Sequence, residues 1–326
     1  MTTRTAVLTA LLPLAVALAG CIGPGAQQPP AARRLALLHD GVRIDQLAQA
    51  LADDDVVIRR TAARLLGRRG ASEALMTALD DQDLLVRRTG LAALIGAGGA
   101  TALSAVERAL TDSSSLVRLM AVSHLASFRP HSDRVLLLLD SACKDEDDKV
   151  REIATRATWP FFRHAPSVRD GGTDRDITVS ETIRLPKEDW RFHLDAGREG
   201  HRQDWFEPGL NDSEWAAIAI EQAWQEAGYE YIGVSWYRRS FDLPEEPGHF
   251  AVDLRFGGVD ESAWIWVNGV YAGDHDIGPS GWNVPFRLDV TTLLNWGGPN
   301  QITVRAMNTA HAGGIWKPVE IEVLRR

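Results

Sequence analysis

The sequence between residues 268 and 283 holds the richest group of side chains that could bind a ligand. Asn268, Asp274, His275, Asp276 and Trp282 bring an amide, two carboxylates, an imidazole and an indole into one stretch. Aromatic rings pack against the apolar faces of sugar rings, while amides and carboxylates hydrogen-bond the sugar hydroxyls. The stretch therefore contains the kinds of side chain that a sugar site uses. Asp274 and His275 are too few to close a metal site, and we predict none.

A second polar loop near residue 310 offers the same chemistry. It contains Asn308 and His311, and it is followed by Trp316 and Lys317. A structural role is the alternative for each of these residues. Arg238 is expected to bond a carboxylate. The tryptophans expected to fill the core or to pin the segment before the strands are Trp190, Trp205, Trp215, Trp236 and Trp264.

Signatures of catalysis and of cofactor binding are missing from the sequence. It has no Gly-x-Ser-x-Gly, no His-Glu-x-x-His and no phosphate-binding loop. Asp274 and Asp276 form a carboxylate pair, but nothing in the sequence marks either as a protonated acid. Asp170, Asp174 and Asp176 lack the glycine and glutamate spacing of a calcium loop. We therefore predict no catalytic residue and no cofactor.

Strands are expected to carry the candidate loops. Apolar residues alternate with other residues over 250–256, 263–267, 302–306 and 319–323, which predicts strands with one buried face. Asn268-Gly269 suits a tight hairpin turn between two of them. Residues 178–326 are thus predicted to form an antiparallel jelly-roll β-sandwich, after a polar linker over 166–177.

The first half of the chain shows a different period. Arg59, Arg87, Arg118 and Arg151 are spaced 28, 31 and 33 residues apart. Apolar or small residues recur one position before each arginine and three and seven positions after it, which is one face of a helix. Aspartate or serine stands four positions before each arginine, as expected of an N-cap. Residues 35–165 are therefore predicted to form an α-solenoid of helical repeats.

A second helix is expected in each repeat, because further apolar-periodic stretches lie at 44–51, 74–79, 103–110 and 135–142. The recurring arginines could form a binding ladder. We favour a structural role, in which each arginine bonds a cap aspartate of a neighbouring repeat. Cys143 follows an apolar helical run and is expected to be buried.

Both halves resemble known families. The Asp…Val-Arg columns resemble short HEAT-type repeats, which implies protein contacts. The second half resembles the sugar-binding jelly roll of glycoside hydrolase family two, a galactose-binding-like fold, in which the Asn-Gly hairpin and the loop after it lie near the ligand. The motifs carrying this resemblance are Trp190-Arg-Phe-His-Leu-Asp, Asp212-Ser-Glu-Trp215, Trp236-Tyr-Arg-Arg-Ser-Phe, Trp264-Ile-Trp-Val-Asn-Gly269, Pro285-Phe-Arg-Leu-Asp-Val290 and Gly314-Ile-Trp-Lys-Pro-Val319.

The catalytic barrel of those hydrolases is a separate domain of about 250 residues. The sequence given ends at Arg326, directly after the predicted sandwich, so we expect no hydrolase activity.

The N-terminus predicts export. Residues 1–20 have an early cation and an apolar run too short to span a bilayer, as in a secretory signal. Leu-Ala-Gly before Cys21 resembles a bacterial lipobox, which implies lipidation of Cys21 and a flexible tether over 21–34. Cleavage after Ala19, releasing a soluble protein, is the alternative. Ile22 is not aspartate, so the resemblance implies the outer membrane or cell surface in a cell with two membranes.

Composition narrows the function further. The chain has 326 residues, 45% hydrophobic and 24% charged, with a net charge of −9, which excludes a disordered or polytopic membrane protein. Residues 166–326 carry 15 Lys/Arg against 26 Asp/Glu, which argues against nucleic acid. We expect a non-catalytic, lipid-anchored envelope protein that binds carbohydrate through the sandwich and proteins through the solenoid. The alternatives are a scaffold that binds no sugar and an accessory chain of a hydrolase.

Overall fold

The computed structural model describes residues 28–39, 41–128, 130–164, 166–169 and 176–326. The described chain consists of helices followed by antiparallel sheets, as predicted, and divides into two compact units between Trp159 and Pro160. Residues 1–20, Cys21, Asp170 and Asp174 lie outside the described residues. The predicted signal, the lipid attachment site and the calcium alternative therefore stay predictions.

The helical unit stacks pairs of helices. Its buried stripes join in one apolar cluster that runs from Leu47 to Ala154 and includes Cys143, as predicted. None of the helices in the described residues is long and apolar enough to cross a membrane. The helices are α1 (Pro30–Leu37), α2 (Ile44–Ala50), α3 (Val56–Arg68), α4 (Ser72–Leu75, continued by a 3-10 turn Met76–Asp80), α5 (Leu84–Ala97), α6 (Gly99–Ala109), α7 (Ser115–Ser127), α8 (Asp133–Ala142) and α9 (Asp148–Ala157).

Caps and small residues explain where these helices begin and how closely they approach. The side chains of Asp55, Asp83 and Asp147 accept hydrogen bonds from backbone N–H groups in the first turns of α3, α5 and α9. Gly90 sits where α5 meets the turn before it. A Cβ atom there would lie 2.8 Å from the Cβ of Ala78, so a larger residue would push the helices apart.

The repeating arginines connect consecutive repeats. Three of the four guanidinium groups each donate two hydrogen bonds to an aspartate of the next repeat and at least one to a carbonyl of their own repeat. The fourth, Arg151, instead donates to Asp148 of its own helix and to the carbonyl of Asp145. In the three connecting pairs, the accepting aspartate lies two residues before the N-cap residue rather than at the N-cap itself, and it also accepts the backbone N–H of that residue. The pairs are Arg59–Asp81, Arg87–Asp112 and Arg118–Asp145.

The second unit is a sandwich of two antiparallel sheets. The four-stranded sheet has the order β1-β10-β5-β8, and the six-stranded sheet has the order β3-β2-β4-β9-β6-β7. The strands are β1 (Thr178–Arg184), β2 (Trp190–Asp195), β3 (Ala216–Ile218), β4 (Gly233–Asp242), β5 (Ala251–Phe256), β6 (Ser262–Val267), β7 (Val270–Asp276), β8 (Phe286–Asp289), β9 (Pro299–Asn308) and β10 (Val319–Arg325).

In the six-stranded sheet, β6, nearly all of β9 and the first part of β4 are buried on both faces, which differs from the predicted single buried face. Ile265 faces the core between the sheets, while Trp266, on the opposite face, is fully buried as well. Trp236 and Phe206 stack on the Trp266 ring, and Phe161 meets it edge to face at 5.2 Å. Aromatic side chains therefore cover the Trp266 face of the sheet, which the alternating pattern had predicted to be exposed to solvent.

Segment 160–169 packs on the sandwich, although part of it was predicted to be linker. Arg163 donates to the carbonyls of Ala272 and Asp289, at the edges of the two sheets. The Ser167 hydroxyl donates to Asp253, which is fully buried in β5. The segment therefore covers parts of the edge strands β7 and β8. Uncovered edge strands can pair with strands of other chains.

Candidate functional site

The predicted site residues lie in three separate places. Asn268 lies at one end of β6, and the hairpin at that end positions it. Asp274 and His275 lie on β7 beside a cavity. The remaining residues belong to the loops at the other end of β6, or border them. Because β6 advances about 3.4 Å per residue, its two ends are about 17 Å apart. No single small ligand contacts all of them.

Asn268 holds the hairpin together. Its side-chain nitrogen donates to the carbonyl of Leu293 at 2.8 Å and to Asn300 at 2.9 Å, while its oxygen accepts the N–H of Gln301 at 2.8 Å. Asn268 and Gly269 both have positive φ angles, 51° and 80°, as a two-residue hairpin turn requires. The side-chain amide of Asn268 therefore makes its hydrogen bonds to groups of the protein itself.

Asp274 and His275 line a cavity of 590 Å³ between β7, β8, residues 162–164 and Pro166. The His275 ring stacks on Phe286 with centroids 4.4 Å apart. Burial lowers the pKa of His275, although Asp274 and Asp276 act against this effect, and its shielded Nε2 has no hydrogen-bond partner. The phenol of Tyr271 donates to Asp274 at 2.6 Å. The cavity offers a neutral imidazole and a carboxylate to a ligand.

The other candidates meet at what we call the loop-end surface, formed by residues 257–261, 277–284 and 308–318. Backbone hydrogen bonds join the first and third of these segments: Asp260 donates to Gly314, and Trp316 donates to Gly258. Gly281 brings the second segment against the first, since a Cβ atom on it would lie 2.4 Å from the carbonyl oxygen of Glu261. Three loops far apart in sequence thus form one surface.

An exposed indole with polar neighbours characterises this surface. The Trp282 side chain is 54% exposed. Its neighbour Asn283 and the side chain of Lys317 converge on Gly258, each with an atom 3.7 Å from the place a Cβ atom would take there. The loop-end surface therefore carries an exposed indole, an amide from the adjacent residue and a lysine side chain from the third segment. This combination suits the apolar face and the hydroxyls of a sugar.

Asp260 is the most perturbed group at the loop-end surface. It is 4% exposed, and its Oδ2 has no hydrogen bond of ordinary geometry. Burial, together with the charge of Glu261, raises the pKa of Asp260 to about 7, while the nearby indole of Trp316 acts in the opposite direction. Near neutral pH the carboxyl group can therefore either donate or accept a hydrogen bond.

Other predicted residues hold the surface in shape. The buried Asn308 accepts the N–H of Ala310 and donates to the carbonyl of His311, closing its own turn. The exposed His311 has a φ of 63°, and its contacts to Asn308 run through the backbone carbonyl. Asp276, at the border of the surface, accepts the hydroxyl of Ser262 at 2.7 Å. The surface therefore depends on Asn308 and Asp276 for its shape.

Asp260, Glu261 and Asn283 were missed from the sequence. A signal was present, since Gly257-Gly258 is followed by two adjacent acids between strongly apolar strands. Acidic residues at the start of a strand, next to a glycine turn that permits close backbone approach, are typical of a binding loop. Among the described residues, no group of three or more His, Cys, Asp or Glu could hold a metal ion.

Comparison with known proteins identifies both units. HEAT repeats match residues 44–123 and 72–158, which cover α2 to α9. The β-galactosidase second all-beta domain matches residues 200–312, which include most of the loop-end surface. The chain joins HEAT repeats to a β-galactosidase-type β-sandwich. The sandwich is thus a carbohydrate-related domain.

Two known proteins and one solved structure are similar to part of the chain. The chain is 29% identical over 141 residues to the β-galactosidase BoGH2A of Bacteroides ovatus, covering 39% of this chain and 16% of that protein. It is 29% identical over 121 residues to the β-glucuronidase of Canis lupus familiaris, covering 33% and 18%. A β-glucuronidase structure from Ruminococcus gnavus is 19% identical with a TM-score of 0.39, covering 47% and 30%. The chain therefore spans less than a third of each.

Proposed function

We propose that this chain is an exported, lipid-anchored protein of the cell envelope that binds carbohydrate without cleaving it. The sandwich binds the sugar at the loop-end surface, and the HEAT repeats contact other proteins. One observation carries the carbohydrate proposal: the exposed Trp282 indole shares one surface with Asn283 and Lys317, on a sandwich whose relatives are β-galactosidases and β-glucuronidases.

The state of the acids at the loop-end surface supports binding without hydrolysis. Cleavage of a glycosidic bond uses two carboxyl groups on either side of that bond. Both oxygens of Glu261 are engaged by Thr309, one by its N–H at 2.9 Å and one by its hydroxyl at 3.0 Å. Asp260 and Glu261 are each only 4% exposed, so the loop-end surface presents no accessible pair of carboxyl groups.

A glycan array with the full-length chain in detergent tests the carbohydrate proposal. We expect Trp282→Ala to reduce binding at least about tenfold, because a stacked aromatic ring contributes about 1.5 kcal/mol or more. Phe162→Ala is the matched control, since Phe162 is 90% exposed but borders the β7–β8 cavity. Loss of binding in the Phe162 variant alone would move the site to that cavity. A folded chain that binds no glycan would instead favour the scaffold function.

Lipid attachment rests on the sequence around Cys21 and is tested in cells. Metabolic labelling with an alkyne fatty acid should mark the wild-type chain, and Cys21→Ser should abolish the label. The same variant should move from the membrane fraction to the soluble fraction. An unlabelled wild-type chain recovered from the soluble fraction would support simple cleavage and secretion instead.

A further inference from the structure

We propose that a groove between α3 and α5 binds an extended, acidic peptide segment of a partner protein. This proposal rests on the proposed role of the HEAT repeats in protein contacts and specifies the chemistry of the partner. The groove has a volume of 760 Å³, and Met120 of α7 closes one side of it. Its residues all belong to the helical unit.

Unpaired positive charge is the first argument. Arg64, Arg68 and Arg88 line the groove, and no Asp or Glu lies among the lining residues. In the described part of the helical unit, these three arginine side chains have no ion pair and no hydrogen bond. The other arginines described there all have one: Arg33, Arg34, Arg43, Arg59, Arg60, Arg69, Arg87, Arg108, Arg118, Arg134, Arg151 and Arg156.

The state of Arg88 strengthens this argument. Its Nε is shielded from solvent and has no acceptor within hydrogen-bonding distance. A buried donor without a partner is unfavourable, and a ligand that supplies an acceptor would remove that cost. A carboxylate is the natural acceptor, because the guanidinium group can bind it through two parallel hydrogen bonds. The groove therefore favours a ligand with several carboxylates.

The dimensions and lining of the groove favour a peptide. From Leu85 to Ala97 the floor follows α5 for about 18 Å, which is the length of five or six extended residues. Arg64 and Arg68 are one helical turn apart, about 6 Å, which is close to the spacing of alternate side chains on a strand. Glycine and alanine along the floor allow a backbone to approach closely. An alternating acidic and apolar sequence would fit.

The same lining argues against sugar and single-stranded nucleic acid. Those ligands are recognised largely by stacking on aromatic rings, and no Phe, Tyr or Trp lines the groove. Leu85, which is 42% exposed, and Met120 instead offer flexible aliphatic surface. Apolar side chains of a peptide pack well on such residues.

Fluorescence anisotropy with the full-length chain tests the proposal. The probe is a fluorescein-labelled peptide in which glutamate and leucine alternate over about six residues, and the control probe has glutamine in place of glutamate. We expect measurable binding of the acidic probe, a weakening of about fivefold for each of Arg64→Gln, Arg68→Gln and Arg88→Gln, and further weakening at high salt. Arg134→Gln, which removes a paired arginine elsewhere in the unit, should leave binding unchanged.

Several results would overturn the groove assignment. These are no binding of the acidic probe, equal binding of the glutamine probe, or equal weakening by Arg134→Gln in variants that melt like wild type. Arginine-dependent binding of heparin or a DNA oligonucleotide that excludes the peptide would reassign the ligand class. Glycan binding is measured on the same samples. If the chain binds glycan but not the acidic peptide, the carbohydrate proposal stands and the groove proposal fails. If it binds the acidic peptide but no glycan, the groove proposal stands and the carbohydrate proposal fails.

Discussion

Two adjacent arginines on α5, Arg87 and Arg88, are predicted to behave in opposite ways. Arg87 donates to both oxygens of Asp112, at 2.8 and 2.9 Å, and to the carbonyl of Asp81 at 2.8 Å. The Arg87 and Asp112 side chains are only 13% and 8% exposed. Arg87→Met removes the charge but keeps the aliphatic volume, so it leaves a buried carboxylate without its partner. We expect a loss of about 3 kcal/mol in the free energy of unfolding.

Arg88→Met should not lower that free energy and should raise it, because the Arg88 side chain makes no hydrogen bond or ion pair and the substitution removes its buried, unpaired Nε–H. Urea unfolding of the full chain, followed by far-ultraviolet circular dichroism, measures both variants. Arg87→Met with Asp112→Asn completes a double-mutant cycle and should recover part of the loss, since the remaining partner is then neutral. Asparagine can still accept the N–H of Ser114 through its side-chain oxygen.

Acid provides a second check on the Arg87 prediction. Burial acts to raise the pKa of Asp112, but hydrogen bonds from Arg87 and from the Ser114 N–H outweigh it, so the pKa lies below its usual value. A lowered pKa stabilises the folded state above the unfolded value of 3.8, and this stabilisation disappears as the pH falls. The gap between wild type and Arg87→Met should therefore shrink near pH 3. Equal losses in Arg87→Met and Arg88→Met, or a gap independent of pH, would refute the reasoning.

The remaining predictions concern the sandwich. Asp260 has a pKa of about 7 instead of 3.8, so it binds protons more tightly when folded, and its contribution to stability is lost as pH rises from about 4 to about 7. Asp260→Asn should be more stable than wild type at pH 8, by roughly 1 to 2 kcal/mol in urea melts, and equal stability would contradict this. His201 has the opposite sign, because burial and nearby arginines lower its pKa to about 3. His201→Gln should therefore flatten the loss of stability below about pH 6.5. Gly273→Ala should lower the melting temperature well beyond Gly248→Ala, because a Cβ atom on Gly273 would lie 2.9 Å from Leu288 at a φ of 138°, whereas nothing lies within 4 Å at Gly248.

Helical periodicity predicted the first unit well because it follows from stacking. Every repeat must bury the same stripe, so the columns around Arg59, Arg87 and Arg118 had to recur, and the guanidinium groups do connect repeats as predicted. The error was one of register. The aspartate at the N-cap, such as Asp83, was expected to be the partner. The partner of Arg59 is instead Asp81, which lies two residues before the N-cap.

Strand positions were also predictable, but what covers the sheet was not. Alternation in β6 placed Ile265 and Trp266 on opposite faces correctly. It could not reveal that Phe161 and Phe206, from distant segments, would cover the Trp266 face. Long-range coverage leaves no local period in the sequence, so a buried second face looks like an exposed one.

The candidate sugar site was predicted in part for the same reason. Residue type identified Trp282 and Lys317, which do share one surface. Asn268 was chosen by type as well, yet its amide is used by the backbone of its own hairpin. Asp260 was missed because burial in the folded loops, together with the charge of Glu261, raises its pKa, and the sequence does not show which side chains become buried. Sequence identifies groups able to bind a ligand, whereas their freedom to do so is a property of the packing.

Within the repeats, recurrence itself separates structure from function. Positions that stacking requires must recur in every repeat, as the anchor arginines and their apolar neighbours do. The groove arginines occupy positions one, five and nine residues after an anchor: Arg88 follows Arg87, while Arg64 and Arg68 follow Arg59. These offsets share one helix face, and that face is variable, because the residue after Arg118 is leucine. A charge that stacking does not require, and that no acid in the described part of the unit neutralises, is available to a ligand. The groove arginines should therefore affect binding and should not be required for folding.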